Sequence, residues 1–120
     1  MTVTIYHNPR CSKSRKTLEM LKDRGLSPIV IEYLNTPPDR ATLQSILDKL
    51  NLEPRQLMRS KETVFDELNL SRVGLSAEVL IDAMVENPIL IERPIVVSGD
   101  KAAIGRPPEN INALFSSADD

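Results

Sequence analysis

The sequence predicts an α/β fold with a mixed sheet, on three observations. A β-branched alternating run near the start, Val3-Thr4-Ile5-Tyr6, is followed by a helical stretch and then by Ile29-Val30-Ile31. The middle third carries helical periodicity and no strand signal. Two further β-rich runs, Ile95-Val96-Val97 and Ala102-Ala103-Ile104, flank a Gly-Asp turn.

Taken in order, residues 2 to 6 read as a first strand and residues 12 to 24 as a first helix. Leu18, Leu21 and Lys22 keep helical spacing there, and Gly25 stops it. The β-branched run at 29 to 31 reads as a buried second strand parallel to the first, which makes a right-handed βαβ unit. Thr36-Pro37-Pro38-Asp39 is a helix-start signal, with Thr36 as cap and proline at the first helical position. Leu43, Ile46, Leu47 and Leu50 then place an i, i+3, i+4, i+7 stripe on a helix. Shorter helical pieces follow at residues 53 to 58 and 64 to 68. Ser76 caps a helix bearing Val79, Leu80, Ala83 and Met84, ended by Asn87-Pro88.

Strands return at Ile95-Val96-Val97 and Ala102-Ala103-Ile104, joined by the hairpin signal Ser98-Gly99-Asp100-Lys101. A terminal helix is expected over about residues 108 to 115, with fraying over 116 to 120. The plan is βαβ, a helical insertion at about 38–87, and a ββα end, within one domain spanning 1–120. That is the order of a thioredoxin-like fold, in which the proline before the third strand is cis. Pro94 stands in that place.

Composition narrows the function classes. Hydrophobic residues make up 41%, charged residues 27%, and the net charge is -2, values ordinary for a water-soluble globular chain. A near-neutral balance with 3% aromatic residues and no Trp offers neither a basic stripe nor a stacking platform for nucleic acid. The opening residues lack a basic and apolar leader pattern, and no apolar run approaches membrane-spanning length. One cysteine excludes an internal disulfide and a multi-cysteine metal site, which fits a reducing cytoplasm. A monomer is the default for this size.

That cysteine, Cys11, is the centre of the functional reading. It follows the turn Asn8-Pro9 and precedes the first helix, so it stands at a helix N-terminus. Unpaired N–H groups and the helix dipole there favour thiolate over thiol, and the same donors suit a small oxyanion. His7, Arg10, Lys13 and Arg15 surround it with positive or potentially positive charge. A free cysteine is commonly a small buried hydrophobe, but a polar loop among basic residues is the wrong setting for one. Ser14 stands where a C-x-x-C dithiol would have its second cysteine, so an oxidised Cys11 needs an outside thiol. Thr17 stands where a tyrosine-phosphatase loop would need arginine, so any anion cage draws on residues elsewhere. His7 either depresses the thiol pKa as an imidazolium, shuttles a proton, or is structural.

Arg59, Arg93 and Arg106 are the arginines that could complete the cage. Arg93 and Arg106 each precede a proline, which holds them extended and fixes the side-chain direction. With Pro94 facing the cysteine, Arg93 would project beside Cys11, and a planar guanidinium pairs with two oxygens at once.

His7-Asn8-Pro9-Arg10-Cys11-Ser12-Lys13-Ser14-Arg15 resembles the H-N-P-x-C-x-x-S-R signature of the glutaredoxin-coupled arsenate reductases. The likeness extends through Tyr33-Leu34-Asn35-Thr36-Pro37-Pro38, Leu57-Met58-Arg59, Asn87 to Val97 with Glu92-Arg93-Pro94, and Gly105-Arg106-Pro107-Pro108. Ser12-Lys13 differs from the Gly-Thr pair of some reductases. The resemblance implies that Cys11 attacks arsenate to give a covalent adduct, while the arginines matching Arg59, Arg93 and Arg106 hold the oxyanion. Glutathione, as co-substrate, then attacks, and glutaredoxin removes the mixed disulfide as arsenite leaves. It further implies that His7 lowers the thiol pKa, that Ser14 supports the thiolate, that Asn8, Arg15 and Pro94 support the loop, and that no metal or organic cofactor is bound. Two other readings use the same residues: a glutathione-linked thiol transferase that spares oxyanions, and a redox adaptor of the Spx type. The adaptor reading sits poorly with Ser14 and with a full arginine set.

Overall fold

The computed structural model describes residues 2–115; the fraying expected of residues 116–120 lies outside them. Strand β1 (Val3–Tyr6) leads into helix α1 (Ser12–Asp23) and strand β2 (Ile29–Ile31), and strands β3 (Ile95–Ser98) and β4 (Lys101–Ile104) form the late hairpin. The sheet order is β2-β1-β3-β4. β1 pairs in parallel with β2 and antiparallel with β3, which pairs antiparallel with β4. This is the expected mixed sheet of a thioredoxin-like fold, and the Arg93–Pro94 peptide entering β3 is cis. The Arg106–Pro107 peptide is also cis, which the sequence reading did not anticipate.

The register positions the site. Tyr6, the last residue of β1, faces Ile31 on one side and Ile95 on the other, and Ile95 faces Ile104. The chain leaving Tyr6 toward Cys11, the Arg93–Pro94 entry to β3 and the Gly105–Arg106 exit from β4 therefore share one end of the sheet. Beneath them, Val3 and Ile5 of β1 pack with Leu21 of α1, Val96 of β3, and Ile111 and Leu114. Arg24 closes the margin of this core, with its guanidinium 4.8 Å from the Phe115 ring centroid and 2.7 Å from Asn112 Oδ1.

Two expectations change here. β2 is an edge strand, so Ile29 and Val30 are exposed rather than buried; β1 covers one edge, and nothing in a three-residue run says whether the faces are covered. The last segment, Pro108–Phe115, is a 3₁₀ helix rather than an α-helix, though it buries Ile111 and Leu114 as an apolar stripe should. Gly25 does end α1, with φ +81° and its N–H on Lys22 O at 2.9 Å.

Packing divides the chain into two units: one runs to Thr36 and resumes at Arg93, and the other is Pro37–Glu92. The second is helical, with α2 (Arg40–Leu50), α3 (Thr63–Glu67), α4 (Ala77–Glu86) and 3₁₀ turns at Pro54–Leu57 and Pro88–Leu90. α2 buries Leu43, Ile46 and Leu47 and packs on α4, which buries Leu80, Ile81, Ala83 and Met84. Val79, expected inside, is exposed, and Ile81 takes its place. The cap of α2 is Asp39, not Thr36: the carboxylate accepts the Thr42 N–H at 2.8 Å. Ser76 caps α4 as expected, accepting from Val79 N–H at 3.2 Å. Among the described residues no helix is long and apolar enough to cross a membrane.

Candidate active site

Cys11 is the N-cap residue of α1, with φ -95° and ψ 122°. The turn that delivers it is closed by its own N–H on Asn8 O at 3.0 Å, and Asn8 Oδ1 accepts the Arg10 N–H at 3.0 Å. Arg15 straps the loop from the first turn of α1, donating from Nη1 to Pro9 O at 2.9 Å. Asn8 and Arg15 thus hold the loop through named bonds, with Pro9 as the fixed corner.

Burial by itself pushes the Cys11 thiol up. The Ser14 backbone N–H, the Arg93 guanidinium, the Lys13 backbone N–H and Arg106 together outweigh it, and the thiol lies below its ordinary value. Arg106 is in contact: its Nη1 is 3.7 Å from Sγ. The amides act on the sulfur through their dipoles, since Cys11 makes no formal side-chain cap bond.

His7 and Ser14 are both buried, and they face each other. His7 Nδ1 and Ser14 Oγ are 2.6 Å apart, and Ser14 Oγ also accepts the Asn8 N–H at 3.0 Å. The Ser14 hydroxyl therefore ties the strand end to the helix, and its backbone N–H serves the sulfur. Burial holds His7 below its ordinary value, against Glu32, which raises it, and with Arg15 and Lys22, which lower it further. The lowered ring favours its neutral form, and His7 is not among the groups that lower the Cys11 thiol.

The arginines fall into two groups. Arg93 and Arg106 act on Cys11 from the entry of β3 and the exit of β4. Arg59 belongs to the other unit, where its N–H donates to Leu90 O at 2.8 Å beside the Met58–Ile91 bridge. Its Nη2 pairs with Glu62 Oε2 at 2.8 Å.

Gly105 is a residue the sequence reading passed over. Its N–H donates to Pro94 O at 2.9 Å, and a Cβ there would stand 2.5 Å from Thr17 Oγ1 and 2.9 Å from Pro94 Cγ. Only glycine lets β4 close on Pro94 and α1 while presenting Arg106. The signal was its place directly before Arg106-Pro107. Among the described residues, no group of three His, Cys, Asp or Glu side chains is gathered as a metal site.

The ArsC family model matches residues 6–114. The uncharacterized protein YfgD of Escherichia coli K12 is 58% identical over 110 residues, covering 91% of this chain and 92% of that one. An arsenate reductase of Haemophilus influenzae is 50% identical over 112 residues, covering 92% and 97%. Among solved structures, an arsenate reductase from Vibrio cholerae superposes with a TM-score of 0.92 at 50% identity, covering 95% of this chain and 98% of that one.

Proposed function

The chain belongs to the ArsC family, and from that premise we propose that it is an arsenate reductase whose nucleophile is Cys11. The single observation that carries the reading is Arg106 Nη1 at 3.7 Å from a depressed thiol at a helix N-terminus. A bare thiol transferase needs a reactive sulfur but has no use for guanidinium groups converging on it.

In the first step the Cys11 thiolate attacks arsenic(V); an S–As bond forms, one As–O bond breaks, and the oxygen leaves as hydroxide and takes a proton to become water. Arg93 and Arg106 hold the remaining oxygens and stabilise the charge that gathers on them. A glutathione thiolate then attacks the Cys11 sulfur. The S–As bond breaks, its electron pair goes to arsenic, and arsenite leaves with arsenic(III), two electrons reduced. The Cys11–glutathione disulfide is opened by a glutaredoxin thiolate attacking the glutathione sulfur, which frees Cys11. With Ser14 where a resolving cysteine would be, this external sequence accounts for a one-cysteine chain. Glutathione is a co-substrate here, and no bound cofactor takes part.

The test is arsenite formation from arsenate by the purified protein, in parallel with glutathione plus glutaredoxin and with thioredoxin plus its reductase. Activity in the first arm is expected. Activity in the thioredoxin arm alone would retain the reductase and discard the glutathione coupling, and activity in neither would overturn the reading.

A further inference from the structure

The loop that carries Cys11 also walls a second space of mixed polarity. An open cavity of about 240 Å³ is lined by residues 7–10 and by Glu32, Leu34 and Asn35. One basic residue, Arg10, and one acidic residue, Glu32, line the same small volume, together with Asn8, Asn35 and Leu34. Arg10 and Glu32 are both exposed to solvent at the cavity. The Glu32 side of the cavity is built rather than incidental. Its carbonyl accepts the N–H groups of both Asn35 and Thr36 at 2.9 Å, and Asn35 Nδ2 lies 3.4 Å from Glu32 Oε1. Asn8, Pro9 and Arg10, which also line the cavity, belong to the turn closed by the Cys11 N–H on Asn8 O.

A basic and an acidic residue lining one small space match a ligand that carries both charges on neighbouring atoms. The head of an α-amino acid, one ammonium and one carboxylate on the same carbon, is such a group. The chain's chemistry requires an outside thiol, because Cys11 has no internal partner. We infer that the cavity seats the amino-acid head of the small thiol that attacks Cys11, its carboxylate on Arg10 and its ammonium on Glu32. The assignment rests on the one-cysteine reductase reading above and adds the place and chemical class of its reductant. Glutathione qualifies through its γ-glutamyl end; 2-mercaptoethanol, with neither charge, does not.

Two measurements decide it. In the first, S-methylglutathione, which cannot react, is titrated into ¹⁵N-labelled protein. Amide shifts gathered at Asn8, Arg10, Glu32 and Asn35 are expected, weakened about tenfold in affinity by Glu32→Gln and likewise by Arg10→Gln. Shifts centred elsewhere, no binding at millimolar ligand, or binding indifferent to both substitutions would overturn the inference. In the second, arsenite formation is compared with glutathione and with 2-mercaptoethanol. Glu32→Gln should lower kcat/KM for glutathione about tenfold and leave that for 2-mercaptoethanol unchanged, whereas an equal fall with both thiols would mark Glu32 as merely structural and overturn it. A protein that makes no arsenite with any thiol would sink the reductase reading, and the titration would still decide the cavity.

Discussion

Arg106 Nη1 lies 3.7 Å from Cys11 Sγ, although the two residues are 95 positions apart in the chain. The β1–β3 and β3–β4 registers bring them together by setting the ends of β1 and β4 on one side of the sheet. Replacing Arg106 removes a charge that lowers the thiol and, on the proposed function, a donor to the oxyanion. Arg106→Ala is expected to cut arsenate turnover roughly a hundredfold and to move the pH midpoint of Cys11 alkylation upward. Alkylation profiles of wild type and variant check this; an unmoved midpoint would detach Arg106 from the sulfur.

The buried His7–Ser14 contact makes a separate prediction. Ser14→Ala leaves the Asn8 N–H and the His7 Nδ1 without their shared oxygen, at a cost of about 1–3 kcal/mol, read by urea unfolding. The pH dependence follows from the direction of the His7 shift. The folded ring takes up its proton less readily than the unfolded one, whose value is 6.5, so below that pH the unfolded chain binds more protons. Stability is therefore lost as pH falls through 6.5 toward the lower folded value. His7→Gln should shrink that loss, and a variant with the wild-type slope would show that the ring does not carry it.

Gly105 tests the packing behind the arginine. Gly105→Ala pushes a methyl group against Thr17 and Pro94, with an expected destabilisation of about 1–3 kcal/mol. Adding Thr17→Ala should recover part of it, since two of the three close contacts are to Thr17. Thermal melting of the single and double variants provides the comparison.

The cap of α2 offers a check remote from the chemistry. Asp39→Ala is expected to lower the melting temperature, while Asp39→Asn, which keeps an oxygen for the Thr42 N–H, and Thr36→Ala change it little. The Thr42 backbone N–H, and then its side chain, holds the Asp39 carboxyl below its ordinary value. Its contribution is thus present above the unfolded carboxylate pKa and lost as pH falls through the folded one. Equal melting temperatures for Asp39→Ala and wild type near neutral pH would refute the cap.

The parts of this site that follow from local chemistry were legible in the sequence. A lone cysteine after Asn8-Pro9 and before a helical stretch had to stand at a helix start, and it does. Pro94 followed from the order of strands, and the pre-proline position of Arg93 and Arg106 singled them out. What the sequence left open depends on burial and on contacts between distant segments. His7 reads equally as a cation, a proton shuttle or a structural residue until the structure encloses it and holds its pKa down. Ser14 reads as a hydroxyl for the sulfur, yet that hydroxyl goes to His7 and Asn8. Thr36 and Asp39 both had the chemistry to cap α2, and the geometry beyond Pro37-Pro38 chose the nearer one. The fit of Gly105 against Thr17 involves residues 88 positions apart, beyond the reach of any local pattern.

The central claim is that Cys11 itself passes through the reaction. The most direct measurement is a single turnover with arsenate and glutathione in the absence of glutaredoxin, quenched in acid and read by peptide mass spectrometry alongside an arsenite count. The account predicts one arsenite per chain, a glutathione disulfide on Cys11, and neither product from Cys11→Ser. Arsenite formed while Cys11 stays unmodified, or formed equally by Cys11→Ser, would contradict it.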